Sequence, residues 1–203
     1  MGPYTLTPWL SILIPTIGRQ SLECALASIR SQEFDHTKVE ILVIGDTANG
    51  TWSDWLEELR QSDLCRRYGA WYYEHDGDDH SFGAAQLNAG MQLAMGDWMA
   101  FLGDDDEYLP GAIQAIEHAT AEGARPMIFK SEMKGGFVLW RDRALMRGGV
   151  SGQNIVTPRQ HGKIGHWSTD VYEGDYEFIR STVDLWGGDD AIEWREEILS
   201  RCH

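Results

Sequence analysis

The sequence predicts an α/β fold: a mostly parallel central sheet flanked by helices, in a single domain with an irregular C-terminal segment. Two observations carry this. Short apolar runs and helix-period apolar stripes alternate four times in about the first 130 residues, the pattern of strands joined by crossover helices. Several of the runs stop at polar, Gly-containing loops, as strands buried on both faces do at their ends. A chain of 203 residues with 42% hydrophobic content is long enough to bury one substantial core.

The elements follow in order. WLSILIP, Trp9 to Pro15, reads as a buried strand stopped by Pro and Gly. Leu22, Ala25, Leu26 and Ile29 form a helical stripe, with Ser21 as the expected N-cap. VEILVI, Val39 to Ile44, is β-branched and ends at Gly45-Asp46, a second strand. Trp52, Trp55, Leu56 and Leu59 mark a second helix, and AWYYE, Ala70 to Glu74, a third strand leading into the polar loop HDGDDHSFG. Leu87, Met91, Ala94 and Met95 give another stripe, with Gly96 expected at the helix end. Trp98 to Leu102 is a strand; Pro110 opens a helix with apolar face Ala112, Ile113, Ile116 and Ala119, closing at Gly123; Pro126 to Phe129 is a further strand. Beyond residue 130 the pattern is irregular, and strands and loops closing over a crevice are expected.

Charge and cysteine usage narrow the function. Thirty-two acidic against 17 basic residues, a net charge of -15, argue against a nucleic-acid or anionic-membrane surface, which Lys and Arg would have to hold. Cys24, Cys65 and Cys202 lack zinc-site spacing and read as reduced thiols. No apolar run approaches the ~20 residues of a membrane span, so no transmembrane segment is expected and a cytoplasmic location is.

In parallel sheets ligands bind beyond the carboxyl ends of the strands. Three strand tips should therefore line one crevice: Thr16 to Arg19, Gly45 to Thr47, and Gly103 to Asp106. Adjacent carboxylates repel, so Asp104, Asp105 and Asp106 suit a divalent cation, of which two at most would be direct ligands. The bland alternative is a turn capping the next helix, which needs only one Asp. Asp46 would otherwise be an ordinary Asx turn, and Thr16 to Arg19 a plain loop. HDGDDH lacks the spacing of a calcium loop and reads as a solvated acidic loop. Among nine tryptophans, Trp167 and Trp186 are expected to be exposed and available to stack on a sugar, the rest being core. Arg141, Arg143, Arg147, Arg159 and Lys163 are candidates to hold an anion, with a solvated face as the alternative.

Taken together, SILIPTIGR, VEILVIGD, LNAGMQLAMGDWMAFLGDDDEYLPGAI and YEGDYEF resemble the family 2 glycosyltransferases, inverting enzymes of the GT-A fold. Relatives read like IPTYNR, then a strand ending in Asp-Asp, then RNxGxxxAxGxxxxFLDxDD followed by Pro. The resemblance is close over residues 9 to 120 and scattered beyond. It implies a metal-dependent transferase with Mn²⁺ or Mg²⁺ as cofactor, moving a sugar from a UDP- or GDP-sugar to a hydroxyl of a saccharide, a lipid-linked molecule or a small molecule. Carried over by position, Thr16, Gly18, Arg19 and Asp46 would hold the nucleotide, Asn88 and Gly90 would lie beside the diphosphate and sugar, and Asp104 would meet the ribose. Asp105 would be the principal metal ligand and Asp106 a second, with His166 a possible third. Asp175 would be the catalytic base, and Trp167 and Glu173 would face the acceptor. Residues 9–108 would form the nucleotide-sugar half and 109–203 the acceptor half. Three positions depart from the pattern: Gly45 and Gly103 replace acids, and Leu87 replaces a common Arg. These departures leave open a non-catalytic nucleotide- or sugar-binding protein on the same fold. A nucleotidyltransferase is the other alternative, although IPTIGRQS is not the Gly-rich phosphate loop it would need.

Overall fold

The computed structural model describes residues 7–46, 64–75 and 82–203. The expected helix at Trp52 to Leu59 and most of the HDGDDHSFG loop lie outside these residues. Four strands form the parallel part of the sheet: β1 (Leu10–Thr16), β2 (Val39–Asp46), β3 (Trp71–His75) and β4 (Trp98–Phe101), in the order β3-β2-β1-β4. The parallel order ends there. Beyond β4 the sheet continues through β8 (Ile155–Pro158), β6 (Met127–Met133), β9 (Glu193–Cys202) and β5 (Asp106–Tyr108), with β7 (Phe137–Leu139) also on β6. In this half only β6 and β9 run parallel, and the other pairings are antiparallel.

Helices cover both faces, which is why the central strands are apolar at consecutive positions. Leu10, Ile12 and Ile14 of β1 face α1 (Leu22–Arg30) and α4 (Ala112–Glu122). Leu13, with Leu42 and Ile44 of β2, faces α3 (Ala84–Leu93) and α5 (Gly174–Leu185). A short helix, α2 (Leu64–Arg67), precedes β3. Among the described residues no helix is long and apolar enough to cross a membrane.

The structure corrects three readings. Ser21 makes no side-chain cap to α1. Helix α3 ends at Leu93, not at Gly96, and Met95 is exposed. Gly96 instead lets the turn lie against β1: its N–H donates to Ser11 Oγ at 2.8 Å and to the buried Glu40 carboxylate at 3.0 Å, and a Cβ there would sit 2.6 Å from the Ser11 backbone nitrogen. Finally, the segment holding YEGDYEF is not strand and loop but the start of α5, whose Phe178, Ile179, Thr182 and Val183 are buried at helical spacing.

Gly96→Ala is expected to destabilise the protein by about 1–3 kcal/mol in urea unfolding, because the clash is with backbone. Gly123→Ala, where the backbone is extended and the nearest atom is a Glu193 carboxylate oxygen 3.9 Å away, should be close to neutral.

Candidate active site

Strand β1 ends at Thr16 and the loop after β4 carries the three aspartates, so the adjacent tips of β1 and β4 meet at one edge. The centre of that edge is Asp104, only 3% exposed. Its Oδ2 accepts from the Thr16 hydroxyl at 2.7 Å and from the Ile17 N–H at 3.3 Å, and its Oδ1 accepts from Arg19 Nη1 at 2.7 Å. The Thr16 oxygen in turn accepts from the Gly18 N–H at 3.0 Å, with Gly18 at φ 82°, a backbone conformation that suits glycine. Thr16, Gly18, Arg19 and Asp104 are thus bound to one another. Arg19 also reaches Asp105 Oδ2 at 3.0 Å. Partial burial alone would lower the Arg19 pKa, but Asp104, with smaller contributions from Asp105 and Asp106, outweighs it and the net shift is upward.

Asp105 and Asp106 point to a common place. A Cβ built on Gly103 would lie 2.7 Å from Asp106 Oδ2 and 3.2 Å from Asp105 Oδ1, so two carboxylate oxygens converge over a residue with no side chain. This explains the glycine: a side chain at 103 would fill the space between them. Asp106 is pushed up to about 6, first by burial and then by the Asp105 charge, while the His203 N–H, donating at 3.3 Å, opposes. Two converging acids with one raised pKa are a donor set suited to a hard divalent cation. Among the described residues no three His, Cys, Asp or Glu side chains gather as a metal site. His166 is exposed, with Nε2 3.3 Å from Asn88 Nδ2.

Asp46 sits at the end of β2, one residue beyond Gly45, which pairs with Thr16. A side chain at Gly45 would run into the Tyr72 hydroxyl from the neighbouring strand, which accounts for glycine there. Asn88 and Gly90 serve the frame. Asn88 clamps the backbone of Trp167, donating to its carbonyl at 2.9 Å and accepting its N–H at 3.0 Å. Gly90 is buried where α3 crosses the sheet, and a Cβ would meet Ile44 Cδ1 at 2.7 Å and Leu13 Cδ2 at 2.9 Å.

The expected exposure of Trp167 is overturned. The ring is 2% exposed and stacks on Phe178 at 4.4 Å with planes 5° apart, because α5 packs over it. Trp186 is half-buried; its indole N–H donates to the Lys163 carbonyl at 2.8 Å, and the Lys163 ammonium covers its ring at 4.4 Å. The basic residues do not form one patch either. Arg143 pairs with Glu196, Arg147 with Glu173 and Glu177, and Arg159 bonds the Met95 and Gly96 carbonyls.

Asp175 lies in the first turn of α5 and lines a cavity of about 350 Å³ together with Glu173, Leu87, Val150 and one edge of Trp167. Its carboxyl is pushed up to about 6; burial is the main cause, the Gly152 backbone amide works against it, and the charge of Asp106 adds to it. The candidate base and the acidic pair are therefore electrostatically coupled. Leu87 gives this cavity an apolar wall where an Arg was the common residue. Sequence reasoning missed the exposed aromatic residues Phe82 and Tyr172 at the same cavity. Both lie outside regular elements, so no periodicity marks them.

A sequence profile described as Glycosyl transferase family 2 matches residues 11–169. Over 117 residues the chain is 32% identical to a GalNAc(5)-diNAcBac-PP-undecaprenol beta-1,3-glucosyltransferase of Campylobacter jejuni, covering 57% of this chain and 36% of that protein. The fold is similar to that of S. aureus TarS residues 1–349, with TM-score 0.72 at 13% identity over 95% of this chain and 60% of that one. The same protein in complex with UDP-GlcNAc gives TM-score 0.69 at 12% identity, over 95% and 58% of the two chains. The chain thus spans about a third of the length of the curated relative it matches.

The raised pKa of Asp175 has a stability consequence. Below the ordinary carboxylate range the group is protonated whether folded or not. As pH rises through about 6 the folded protein must hold a buried charge that the unfolded chain carries freely, so stability is lost. Asp175→Asn should therefore stabilise the protein by roughly 1–2 kcal/mol at pH 7.5, allowing for the partial exposure of the group, and by close to nothing at about pH 3. Denaturant titrations at the two pH values check this.

Proposed function

The chain belongs to glycosyl transferase family 2, and from that premise we propose that it is a metal-dependent, inverting glycosyltransferase using a UDP- or GDP-sugar. The observation that carries the reading is geometric: carboxylate oxygens of Asp105 and Asp106 converge over Gly103, and Asp175 lines a cavity, with the Asp106 charge a minor contribution to its raised pKa. A carboxyl raised to about 6 is a competent base at neutral pH, and two carboxylates nearby supply a seat for a cation. The Campylobacter relative is named for transfer of glucose to a diphosphate-linked undecaprenol glycan, and the TarS structures include UDP-GlcNAc; both support a nucleotide-sugar donor and a hydroxyl acceptor.

In this reading residues 9–108 serve the donor and 109–203 the acceptor. Asp105 and Asp106 would hold Mn²⁺ or Mg²⁺, which when bound neutralises charge on the departing diphosphate. Asp46 lies at the strand edge where the base would be read. Thr16, Gly18, Arg19 and Asp104 fix the edge itself, and in this reading Arg19 turns from Asp105 toward a phosphate as the donor arrives. His166, on the Asn88 side, is assigned to the donor sugar and not to the metal. Asp175 takes the proton of the acceptor hydroxyl as that oxygen attacks the anomeric carbon, with Glu173 beside it at the cavity mouth. Attack from the face opposite the diphosphate inverts configuration. The apolar wall at Leu87, Val150 and Trp167 keeps water from competing.

The test is a thermal-shift screen of UDP, GDP and their sugars with and without Mn²⁺. A Mn²⁺-dependent rise with one nucleotide is expected, since ligand binding adds RT ln(1 + [L]/Kd) to stability. No metal-dependent rise with any of them would sink the reading. Donor hydrolysis with Mn²⁺ separates an enzyme from a binding protein. Asp175→Asn should keep the nucleotide shift while losing on the order of 10²–10⁴-fold in turnover, and Asp105→Asn should lose the Mn²⁺ dependence of the shift.

A further inference from the structure

The cavity that holds Asp175 has a mouth unlike the rest of the surface. Phe82 and Tyr172 are the most exposed large apolar side chains among the described residues, at 75% and 78%. Both line the cavity, Phe82 from the turn before α3 and Tyr172 from the segment before α5. Their rings meet edge to face, with centroids 5.2 Å apart and planes at 88°. Phe82 is also the single non-glycine described residue with positive φ, at 51°. A bulky side chain rarely sits in that region, and here the backbone holds the ring out over the opening. Apart from this mutual contact the two rings stay in water, one of them at an unfavourable backbone conformation, and neither is packed into the core.

Resting on the glycosyltransferase reading, we infer that Phe82 and Tyr172 form an aromatic clamp that selects a neutral pyranoside as the acceptor. A pyranose ring presents an apolar C–H face, which an aromatic ring takes from water, and a rim of hydroxyls, one of which is offered to Asp175. The cavity volume of about 350 Å³ falls in the small-ligand range. Charge argues for neutrality. Glu173 and Asp175 both line the cavity, and Arg147, which reaches that turn, is paired with Glu173 and Glu177. A plain alkyl alcohol would fill the apolar wall but has no flat face for the rings.

The experiment measures transfer from the donor identified by the thermal screen to four probes: phenyl β-glucopyranoside, phenyl N-acetyl-β-glucosaminide, phenyl β-glucuronide and octanol. The neutral pyranosides should be glycosylated, with the glucuronide and octanol poorer by tenfold or more in kcat/KM, on the order of one lost contact of this kind. Phe82→Ala and Tyr172→Ala should each raise the acceptor KM roughly tenfold while the donor KM stays put, and Tyr172→Phe should restore acceptor binding. Both side chains are exposed, so truncation leaves the core intact, and a melting curve for each variant verifies it. Equal use of glucuronide or octanol, an unmoved acceptor KM in the alanine variants, or transfer to none of the four probes would overturn the clamp. Failure of the acceptor series alongside intact donor hydrolysis counts against the clamp alone; loss of donor hydrolysis in the unaltered protein counts against the glycosyltransferase reading itself.

Discussion

The buried carboxylate of Asp104 holds the candidate site together. It takes a hydroxyl from the tip of β1, a backbone amide from the next residue and a guanidinium from Arg19, so the loops after two adjacent parallel strands become one unit. A carboxylate at 3% exposure is tolerable because donors meet both of its oxygens. Everything that follows depends on this anchor. With Asp104 committed inward, Asp105 and Asp106 are left to converge over Gly103, and burial, with the Asp105 charge added to it, is what keeps Asp106 easily protonated.

The frame behind the anchor uses small residues where larger ones would be expected to carry chemistry. Gly90 brings α3 onto Leu13 and Ile44, Gly96 brings the following turn onto Ser11, and Gly45 yields to the Tyr72 hydroxyl. Asn88 spends both ends of its amide on the backbone of Trp167, which places the 165–167 segment, and through it α5, against the sheet. Residues that look like ligands in a linear motif thus act first as spacers and clamps that set where Asp175 stands.

Much of the donor side was legible in the sequence. Strands β1, β2 and β4 are apolar runs interrupted only by Ser11 and Glu40 before their polar tips, and α1 and α4 carry clean stripes, so their positions follow from local pattern. The acidic loop was legible because three adjacent aspartates need an explanation. What escaped depends on distant contacts. Trp167 sits among Gly and polar residues, yet Phe178 and Phe101 bury it. Strand β9 is half charged, with its burial decided by β6 on one side and β5 on the other. Helix α5 did have a readable period in Phe178, Ile179, Thr182 and Val183, hidden by the motif-like YEGDYEF at its start.

The pairing of β5 with β9 sets Asp106 opposite Cys202, and the His203 amide bonds the Asp106 carboxylate across 97 residues of chain. Asp104 is fixed by β1, which has left the ribosome long before; Asp106 has to wait for the last strand described. The two contacts close loops of similar length, 88 and 97 residues, so what separates them is the order in which their partners are synthesised. The acidic run is therefore assembled in two stages, its anchor early and its outer carboxylate late. The contacts of the anchor are thus available to a nascent chain before those of the outer carboxylate.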